Sequence, residues 1–483
     1  MNLLLFSGTQ LAKLIRTREV SSREVVEMHI QHARRINPEI NAIVKNRFAA
    51  ARDDADRADK YIKLNTNAEL PPFYGVPGTI KESLALKGMP QTAGLVSRKD
   101  FVASDSATSV MRYIESGIIP IGVTNIPELC LWMETYNHIY GRTNNPYNPE
   151  HVAGGSTGGE GAIIGSGASP LGLGSDISGS LRLPAFFNGI FSHKPTHGMV
   201  PNTGHFPIYQ GDLSRYSCIG PLARRAEDLY PLLKILKGPD GKDIYCSQQK
   251  LNDPANVDIN QLNIFSIESN GIKKINQDLL EAQRQALAHL NLQGATSKIT
   301  TLERLKYSFE IFAHAFMKAG GFSVERKLSH YKKFNFMMEI LKWITGTSDH
   351  IFPILGLIAQ ERYYGGRVEK KYLKLGVELK NEMHELLGEN GVLLFPTYTM
   401  TAPKHNSMIF LINHWTYSAI FNVLEMPVTQ VPLGLGVDGL PLGLQVAALP
   451  GNDHLTIAVA LELEKAFGGW VPTPVFNKKA PTT

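Results

Sequence analysis

The sequence predicts an α/β fold in which one central sheet is covered by helices. Three observations support this prediction. Residues 1–70 have a helical pattern, Gly and Pro divide short apolar runs within residues 71–245, and strand-like runs return within residues 390–483. A chain of 483 residues is long enough for two or three domains, or for one large α/β domain with insertions. Because the strand-like runs return near the end of the chain, we expect one large domain built on a single sheet.

The N-terminal region, residues 1–70, is predicted to be helical. Ser21 and Glu24 have the spacing of a capping box, and apolar residues recur after them at helical intervals as far as Pro38. A proline within a helix removes a backbone hydrogen bond and crowds the preceding turn. We therefore expect this helix to stop at Pro38.

Residues 71–245 are expected to form the core of the domain. The runs GVPGTI, at 75–80, and IIPIGVTNIP, at 118–127, are short, apolar and divided by Gly and Pro. Such runs are typical of buried strands that lead into functional loops. This region should therefore contain most of the sheet.

The second half of the chain divides into a helical insertion and a return to the core. Residues 250–385 are rich in Lys, Glu and Leu and have few glycines, which predicts a helical insertion. Residues 390–483 contain strand-like runs on either side of Asp438 and Gly439. A pair of runs joined by Asp-Gly is typical of a β-hairpin, so this part should rejoin the same sheet.

Composition and charge exclude several classes of protein. Hydrophobic residues make up 43% of the chain and charged residues 19%, a globular profile that excludes collagen-like, coiled-coil and disordered proteins. The net charge of +5 is scattered, so a nucleic-acid partner is not indicated. Three widely spaced cysteines argue against a disulfide framework and for a reducing compartment. No segment resembles a signal peptide or a membrane span, so we expect an intracellular protein, either cytosolic or peripherally associated with a membrane.

The most unusual segment begins at His151 and is rich in glycine. Ten glycines occur in residues 151–180, which suggests a backbone cradle for a small negative group or, alternatively, close packing of elements. A Walker loop is excluded because no Gly-Lys-Ser or Gly-Lys-Thr follows the first glycines. A dinucleotide pattern at Gly434, Gly436 and Gly439 falls on the predicted hairpin, where no helix can begin.

The run from Gly154 to Gly158 matches the nucleophile elbow of α/β hydrolases by pattern, with Asp453 and His454 as possible partners. An elbow needs a strand directly before the serine. The preceding residues, 144–153, are rich in Asn and Pro and indicate coil. This mechanism is therefore disfavoured.

A serine can instead be activated by a lysine that is neutral at working pH. Lys81 ends the strand-like run at 75–80, a position at which burial would lower the pKa of its amine. The alternative is that Lys81 pairs with the adjacent Glu82 at the surface. For one residue among 49 lysines and arginines, the residues alone favour this surface pair.

Several motifs together resemble the amidase signature family, and within it the fatty-acid amide hydrolases. The similarity covers nearly the whole chain. It implies the amidase signature fold, a central mixed twisted sheet with helices on both faces, and a serine hydrolase that cleaves lipid amides to acid and amine. The motifs are GVPGTIKE at 75–82, NIPEL at 125–129, GRTNNP at 141–146, GGSTGGEG at 154–161, SDISGSLRLPA at 175–185, FFNGIFSHKPT at 186–196, GPLARRAEDL at 220–229 and MPVTQ at 426–430.

The resemblance also implies roles for individual residues. The triad would be the nucleophile Ser180, the bridging Ser156 on a cis peptide bond after Gly155, and the base Lys81. No metal or cofactor is implied, and neither CxxC nor HExxH occurs. The oxyanion hole would be formed by the backbone N–H groups of Ile177, Ser178, Gly179 and Ser180. The loop of the nucleophile would be supported by Ser175, Asp176 and Arg182. The acyl pocket would begin with Cys130, Leu131, Trp132 and Met133.

Two positions depart from the family pattern. Ser178 stands where the family has a glycine, which would strain or re-aim the oxyanion hole if a positive φ is needed there. Thr157 stands where serine is commoner and keeps the hydroxyl, so we expect no effect.

Residues 328–359 mix lysines with large apolar residues, a composition typical of helices at a membrane surface. They are expected to form a membrane-facing lip, and Lys332 and Lys333 contribute to its charge. The alternative is a helix hairpin that packs on the core or on a second subunit, as in a homodimer.

The function of the whole protein also has alternatives to lipid-amide hydrolysis. They are an amidase subunit like that of glutamyl-tRNA amidotransferase, a small aryl or aliphatic amidase, and a binding module with a vestigial triad.

Overall fold

The protein is built on one large mixed sheet. The structure is a computed structural model that describes residues 2–65, 67–209, 211–320, 323–331, 334–364 and 367–477. Within these residues, eleven strands form the central sheet in the order β1-β3-β2-β6-β8-β7-β12-β13-β11-β9-β10, and β4 and β5 form a small separate ribbon. The strands are β1 (Ile43–Asn46), β2 (Pro77–Lys81), β3 (Ile119–Thr124), β4 (Tyr136–Asn137), β5 (Gly141–Arg142), β6 (Leu171–Asp176), β7 (Phe191–Lys194), β8 (Cys218–Ala223), β9 (Asn263–Ser266), β10 (Thr296–Ile299), β11 (Gly391–Phe395), β12 (Val428–Leu435) and β13 (Pro441–Ala448).

The helices cover both faces of this sheet, as expected from the sequence. Successive strand residues point to opposite faces, and β8 accordingly contributes Ile219 to one apolar cluster and Leu222 to another. The helices are α1 (Gly8–Arg16), α2 (Ser22–Ile40), α3 (Phe48–Leu64), α4 (Thr108–Glu115), α5 (Gly158–Gly165), α6 (Arg182–Phe187), α7 (Leu229–Leu236), α8 (Gln277–Leu292), α9 (Ser308–Lys318), α10 (Val324–Tyr331), α11 (Phe336–Ile344), α12 (Phe352–Tyr364), α13 (Lys370–Leu387), α14 (Thr416–Val423), α15 (Asp453–Phe467) and α16 (Pro474–Asn477).

β2 lies at the centre of the parallel part of the sheet. β2 pairs in parallel with β3 on one side and with β6 on the other. The carboxyl ends of parallel strands meet at one edge, so the ends of β2 and β6, Lys81 and Asp176, approach each other there. This edge is where the candidate site lies.

The predicted capping box of α2 is confirmed, but the predicted end of the helix is wrong. Ser21 accepts from the backbone N–H of Glu24, and the Glu24 carboxylate accepts from the N–H of Ser21. The helix continues through Pro38 to Ile40 and ends at Asn41, which has a φ of 46°. A proline in the last turn removes only one hydrogen bond, which the remaining turn and the left-handed cap tolerate.

The segment 250–385 contains strands as well as helices. β9 and β10 pair in parallel with each other, and β9 also pairs in parallel with β11. Each strand is only four residues long, so its pattern is hidden between the longer helical patterns around it. Part of the segment predicted as a helical insertion is therefore the edge of the main sheet.

The C-terminal part returns to the sheet as predicted. β12 and β13 pair as an antiparallel hairpin, and Gly439 takes a φ of 72° in the connecting turn. In the described parts of the chain, every helix is too short or too polar to cross a bilayer.

Candidate active site

Lys81 lies at the centre of a group of polar side chains. It is the last residue of β2, a strand whose five residues are all buried. Its Nζ lies 2.8 Å from Ser156 Oγ and 2.9 Å from Ser175 Oγ, and 3.4 Å from the carbonyl oxygen of Ser175. Two of the three residues of the predicted triad, Lys81 and Ser156, are thus in direct hydrogen-bond contact.

The surroundings of Lys81 favour its neutral form. Burial lowers the pKa of the amine, while the nearby groups of Cys130, Asp176 and Glu160 oppose this shift. Among the described residues, no carboxylate forms an ion pair with Lys81. Glu82 faces elsewhere and accepts from the Thr92 N–H and hydroxyl, so the surface pair of Lys81 with Glu82 does not form.

Glu160, a buried carboxyl near Lys81, was not predicted from the sequence as a site residue. It lies on α5, and its oxygens accept from the hydroxyls of Thr79 at 2.6 Å and Thr124 at 2.8 Å. Burial raises the pKa of Glu160 to about 8, which reduces the negative charge beside Lys81 near neutral pH. The one sequence signal for such a buried contact is a single threonine in each of the otherwise apolar strands β2 and β3.

The glycines around Ser156 serve close packing rather than an open cradle. The peptide bond between Gly155 and Ser156 is cis. A Cβ on Gly155 would lie 2.3 Å from the carbonyl oxygen of Trp132, so the loop that contains Trp132 needs glycine there. The N–H groups of Gly158 and Gly159 are already bonded, to Thr135 Oγ1 and to the Asn125 carbonyl. In this part of the glycine-rich segment, the glycines therefore allow close packing of elements and do not form a backbone cradle for a small negative group.

Ser180 lies on a tight turn directly after β6. The Asp176 carboxylate holds this turn, because it accepts from the N–H of Gly179 at 2.7 Å and from the N–H of Leu181 at 3.0 Å. Gly179 takes a φ of 110°, and a Cβ there would lie 2.6 Å from the side chain of Ser418. The turn thus depends on glycine at position 179.

The same turn presents backbone N–H groups near Ser180. The amide of Gly179 is taken by Asp176, whereas those of Ile177, Ser178 and Ser180 have no backbone or side-chain acceptor among the described residues. Ser178 does not take a positive φ, so serine at this position introduces no left-handed strain. The Ser180 hydroxyl is nearly buried and forms no hydrogen bond with a described residue, Ser156 included.

Arg182 fixes the turn to the rest of the core. Its buried guanidinium donates twice to Asp176, at 3.0 and 3.1 Å. Burial alone would raise the pKa of Asp176, but the Arg182 charge and these hydrogen bonds hold it well below its ordinary value. Arg182 also donates to three acceptors that no motif in the sequence indicates: the Ser418 carbonyl, Asn422 Oδ1 and Gln445 Oε1.

An apolar cluster adjoins the polar group. Leu129 and Cys130 are buried there and take positive φ values of 54° and 59°. They share the cluster with Ile177 of the turn that carries Ser180 and with Ile354 and Ile358 of α12. The predicted pocket residues Leu131, Trp132 and Met133 follow directly and are partly exposed.

The structure does not support the elbow alternative. Asp453 accepts from the backbone N–H of Thr196 at 2.8 Å and bonds His193 at 3.0 Å, and His454 Nε2 lies 3.5 Å from Asn252 Nδ2. Neither residue bonds Ser156. Residues 144–153 before the GGSTG run contain isolated bridges and no regular strand.

Comparisons with known proteins show which family the chain resembles over most of its length. A family model described as Amidase matches residues 24–457. The chain is 42% identical to human fatty-acid amide hydrolase 2 and 43% identical to fatty-acid amide hydrolase 2-A of Danio rerio, in each case over 97% of this chain and 90% of the relative. A solved structure of a fatty acid amide hydrolase superposes with a TM-score of 0.79 at 21% identity, covering 97% of this chain and 86% of that one.

Proposed function

The chain belongs to the amidase family, and from that premise we propose that it hydrolyses the amide bond of lipid amides to a fatty acid and an amine. Relatives at 42–43% identity carry the name fatty-acid amide hydrolase 2, which supports this substrate class. The proposed substrates are N-acylethanolamines, primary fatty-acid amides and related N-acyl amides.

The observation that carries the proposal is the contact between Lys81 Nζ and Ser156 Oγ at 2.8 Å in a buried site. A lysine can act as a general base only when its amine is neutral, and burial lowers its pKa toward that condition. In the first step, Lys81 takes the proton of Ser156, and Ser156 takes the proton of Ser180. The Ser180 oxygen then attacks the amide carbonyl carbon.

The hydrogen bond between Ser180 and Ser156 has to form when substrate binds. Catalytic hydrogen bonds are often long or absent in the free enzyme and tighten in the substrate complex. Ser180 forms no hydrogen bond with a described residue, so its hydroxyl is available to rotate toward Ser156.

The free N–H groups of the nucleophile turn receive the charge of the tetrahedral intermediate. We assign this role to the amides of Ile177, Ser178 and Ser180, because Gly179 already donates to Asp176. When the carbon–nitrogen bond breaks, the proton passes from Lys81 through Ser156 to the leaving nitrogen. Water then attacks the acyl-enzyme ester through the same relay, releases the fatty acid and regenerates Ser180.

The apolar cluster formed by Leu129, Cys130, Ile177, Ile354 and Ile358 would receive the acyl chain next to the carbonyl. It continues through partly buried Phe334 and Phe336 to the outer face of α11. A lipid amide partitions into membranes, so an apolar path from the surface to the site suits such a substrate.

We also propose that α11 contacts a lipid bilayer. Met337, Met338, Leu341 and Ile344 are 66%, 51%, 56% and 68% exposed, which is unusual for large apolar side chains on one short helix. Met337, Leu341 and Ile344 recur at helical spacing and so form one stripe. Lys332 and Lys333, which were also expected to contribute to the lip, lie outside the described residues.

Labelling with a fluorophosphonate tests the nucleophile. We expect one label per chain at Ser180, loss of the label in Ser180→Ala, and slower labelling in Lys81→Ala, because the base that activates the relay is absent. Ser178→Ala is the matched control, since it removes a neighbouring hydroxyl and should still be labelled. A label that persists in Ser180→Ala would refute the assignment of the nucleophile.

A panel of amides tests the substrate class. N-acylethanolamines, primary fatty amides, N-acyl amino acids and short aryl amides should be compared, with Lys81→Ala as the blank. We expect the long-chain amides to have the highest kcat/KM. A preference for short aryl amides would contradict the lipid-amide proposal while leaving the triad in place.

A further inference from the structure

A histidine outside the proposed triad contacts the hydroxyl that is bonded to Lys81. His205 lies on the connection between β7 and β8, where it is buried and pairs through an isolated bridge with Leu84. Its Nε2 lies 2.9 Å from Ser175 Oγ, and Ser175 Oγ lies 2.9 Å from Lys81 Nζ. The three side chains therefore form a continuous chain of hydrogen bonds that ends on the proposed base.

The other ring nitrogen of His205 fixes the position of its proton. Nδ1 lies 3.0 Å from the carbonyl oxygen of Pro207. A carbonyl oxygen can only accept, so Nδ1 must carry the hydrogen. Burial and the nearby Lys81 lower the pKa of His205 to about 3, so the ring carries a single proton near neutral pH. Nε2 is therefore unprotonated and accepts from the Ser175 hydroxyl.

The direction of the hydrogen bond from Ser175 to His205 determines whether the Ser175 hydroxyl donates to Lys81 or accepts from it. Once its hydrogen points at His205, the Ser175 oxygen can only accept from the amine. The Ser175 carbonyl oxygen, at 3.4 Å from Lys81 Nζ, is a second acceptor for the amine. A neutral amine has two N–H groups and one lone pair. Both N–H groups are drawn to the two oxygens of Ser175, and the lone pair is left for the Ser156 hydroxyl at 2.8 Å.

We propose that His205 is a positioning residue that, by accepting the Ser175 hydrogen, keeps the lone pair of Lys81 directed at Ser156. The inference rests on the proposed function, in which Lys81 is the base. Without an acceptor at 205, the Ser175 hydroxyl can donate to the lone pair itself and compete with Ser156. The other titratable groups near Lys81 are Cys130, Asp176 and Glu160, and none of them is hydrogen-bonded to His205.

The tautomer of His205 can be measured without reference to activity. Long-range proton–nitrogen spectra of the full chain, with the His205 signals assigned by their loss in His205→Phe, report which ring nitrogen carries hydrogen. We expect a protonated Nδ1 and an unprotonated Nε2 from pH 6 to 8. A protonated Nε2 would reverse the hydrogen bond to Ser175 and overturn the inference.

Kinetics of two variants test the consequence for the base. His205→Phe keeps a ring that can stack on Tyr209, which lies 5.5 Å from the His205 ring, but it removes the acceptor. His205→Gln restores an acceptor oxygen near the position of Nε2. With rates divided by the number of Ser180 sites that a fluorophosphonate labels, we expect His205→Phe to lower kcat by about 10- to 100-fold, since a misplaced catalytic group loses rate on that scale. His205→Gln should recover most of the rate.

The pH profile separates this role from a structural one. In His205→Phe, a hydrogen bond from Ser175 to the lone pair favours neutral Lys81, so the acid limb of kcat/KM should move to lower pH while the plateau falls. A loss of folded protein would lower the count of labelled sites and leave the limb in place. An unchanged plateau and acid limb of kcat/KM in His205→Phe, or a His205→Gln variant as slow as His205→Phe, would overturn the inference.

Failure of the proposed function gives a different result. If the wild-type chain is not labelled at Ser180, the proposed function fails, and the tautomer measurement still reports on His205 separately.

Discussion

At the scale of single residues, the proposed chemistry depends on a lysine that is fully buried and forms no ion pair with a carboxylate of the described residues. Lys81 contacts two hydroxyls and one carbonyl, groups that can bond an amine without adding a full charge. Burial lowers the pKa of Lys81, so the folded protein binds fewer protons at this position than the unfolded chain does at pH values between the two pKa values. This difference gives a measurable link between the site and the stability of the whole protein.

The first prediction concerns the pH dependence of stability. The pKa of Lys81 is lowered on folding, so between the folded and unfolded pKa values the unfolded chain binds more protons, and the free energy of unfolding rises with pH up to about 10.4. We expect wild type to gain stability relative to Lys81→Met as pH increases from 7 to 10, by about 1.4 kcal/mol for each unit of the pKa shift within that window. Urea unfolding at several pH values measures this. A stability difference that does not vary with pH would show that Lys81 is charged in the folded protein.

A second prediction concerns Ser178, the departure from the family pattern. Because Ser178 does not take a positive φ, a glycine there gains nothing from its conformational freedom. We expect Ser178→Gly to change kcat/KM by less than about threefold and to lower the free energy of unfolding by about 0.5–1 kcal/mol, through the greater entropy of the unfolded chain. Steady-state hydrolysis and urea unfolding test both effects, with Ser178→Ala as the control. A tenfold increase in rate would show that Ser178 misdirects the oxyanion hole.

At the scale of elements, one ion pair joins the loop beside the site to the two residues that lead into α12. The buried Glu128 carboxylate lies 2.6 Å from His350 Nδ1 and accepts from the N–H of Ile351 at 2.9 Å. Burial alone would lower the pKa of His350, but Glu128, with smaller contributions from Glu339 and Asp349, raises it. The Glu128–His350 ion pair thus attaches the helices that cover the apolar cluster to the loop of Cys130, and its strength depends on pH.

The third prediction follows from that shift. A raised histidine pKa contributes stability that is fully present below about pH 6.5 and is lost as pH rises through the folded pKa. We expect Glu128→Gln to be less stable than wild type by about 1.5–3 kcal/mol at pH 6, the usual range for a hydrogen bond to a charged group, and by less at pH 9. Glu325→Gln, which removes a pair with Arg362 between α10 and α12, is the control, because its effect should be equal at both pH values. Equal effects of Glu128→Gln at pH 6 and pH 9 would contradict the prediction.

The elements also show what the sequence could and could not predict. The strands that end at Lys81 and Thr124 were predictable, because Gly and Pro bound short apolar runs there. The four-residue strands β9 and β10 were not, because their partners come from distant parts of the chain and no local pattern marks the pairing. The triad residues were identified by motif, whereas His205 reaches Ser175 across 30 residues of sequence and could be found only from coordinates.

At the scale of the whole molecule, the polar site and the exposed apolar face are connected. The nucleophile turn, the loop of Cys130 and α12 share one apolar cluster, and Phe334 and Phe336 extend it to α11. A substrate that leaves a bilayer at α11 would therefore stay in contact with apolar side chains on its way to Ser180. Binding to a membrane and turnover of a soluble substrate should accordingly depend on different residues.

The last prediction separates these two properties. Leu341→Glu places a charge in the middle of the exposed stripe on α11, where it opposes transfer of that stripe into the acyl boundary of a bilayer. Leu292→Glu makes the same change at the end of α8, at a leucine that is 83% exposed and lies outside the apolar cluster at the site.

We expect co-sedimentation with phosphatidylcholine vesicles to fall about tenfold or more in Leu341→Glu and to stay unchanged in Leu292→Glu. Labelling of Ser180 by a soluble fluorophosphonate should be equal in both variants and in wild type, because the site itself is intact. Hydrolysis of a long-chain amide presented in vesicles should fall with binding in Leu341→Glu only. If both variants bind vesicles as wild type does, α11 is not the membrane contact.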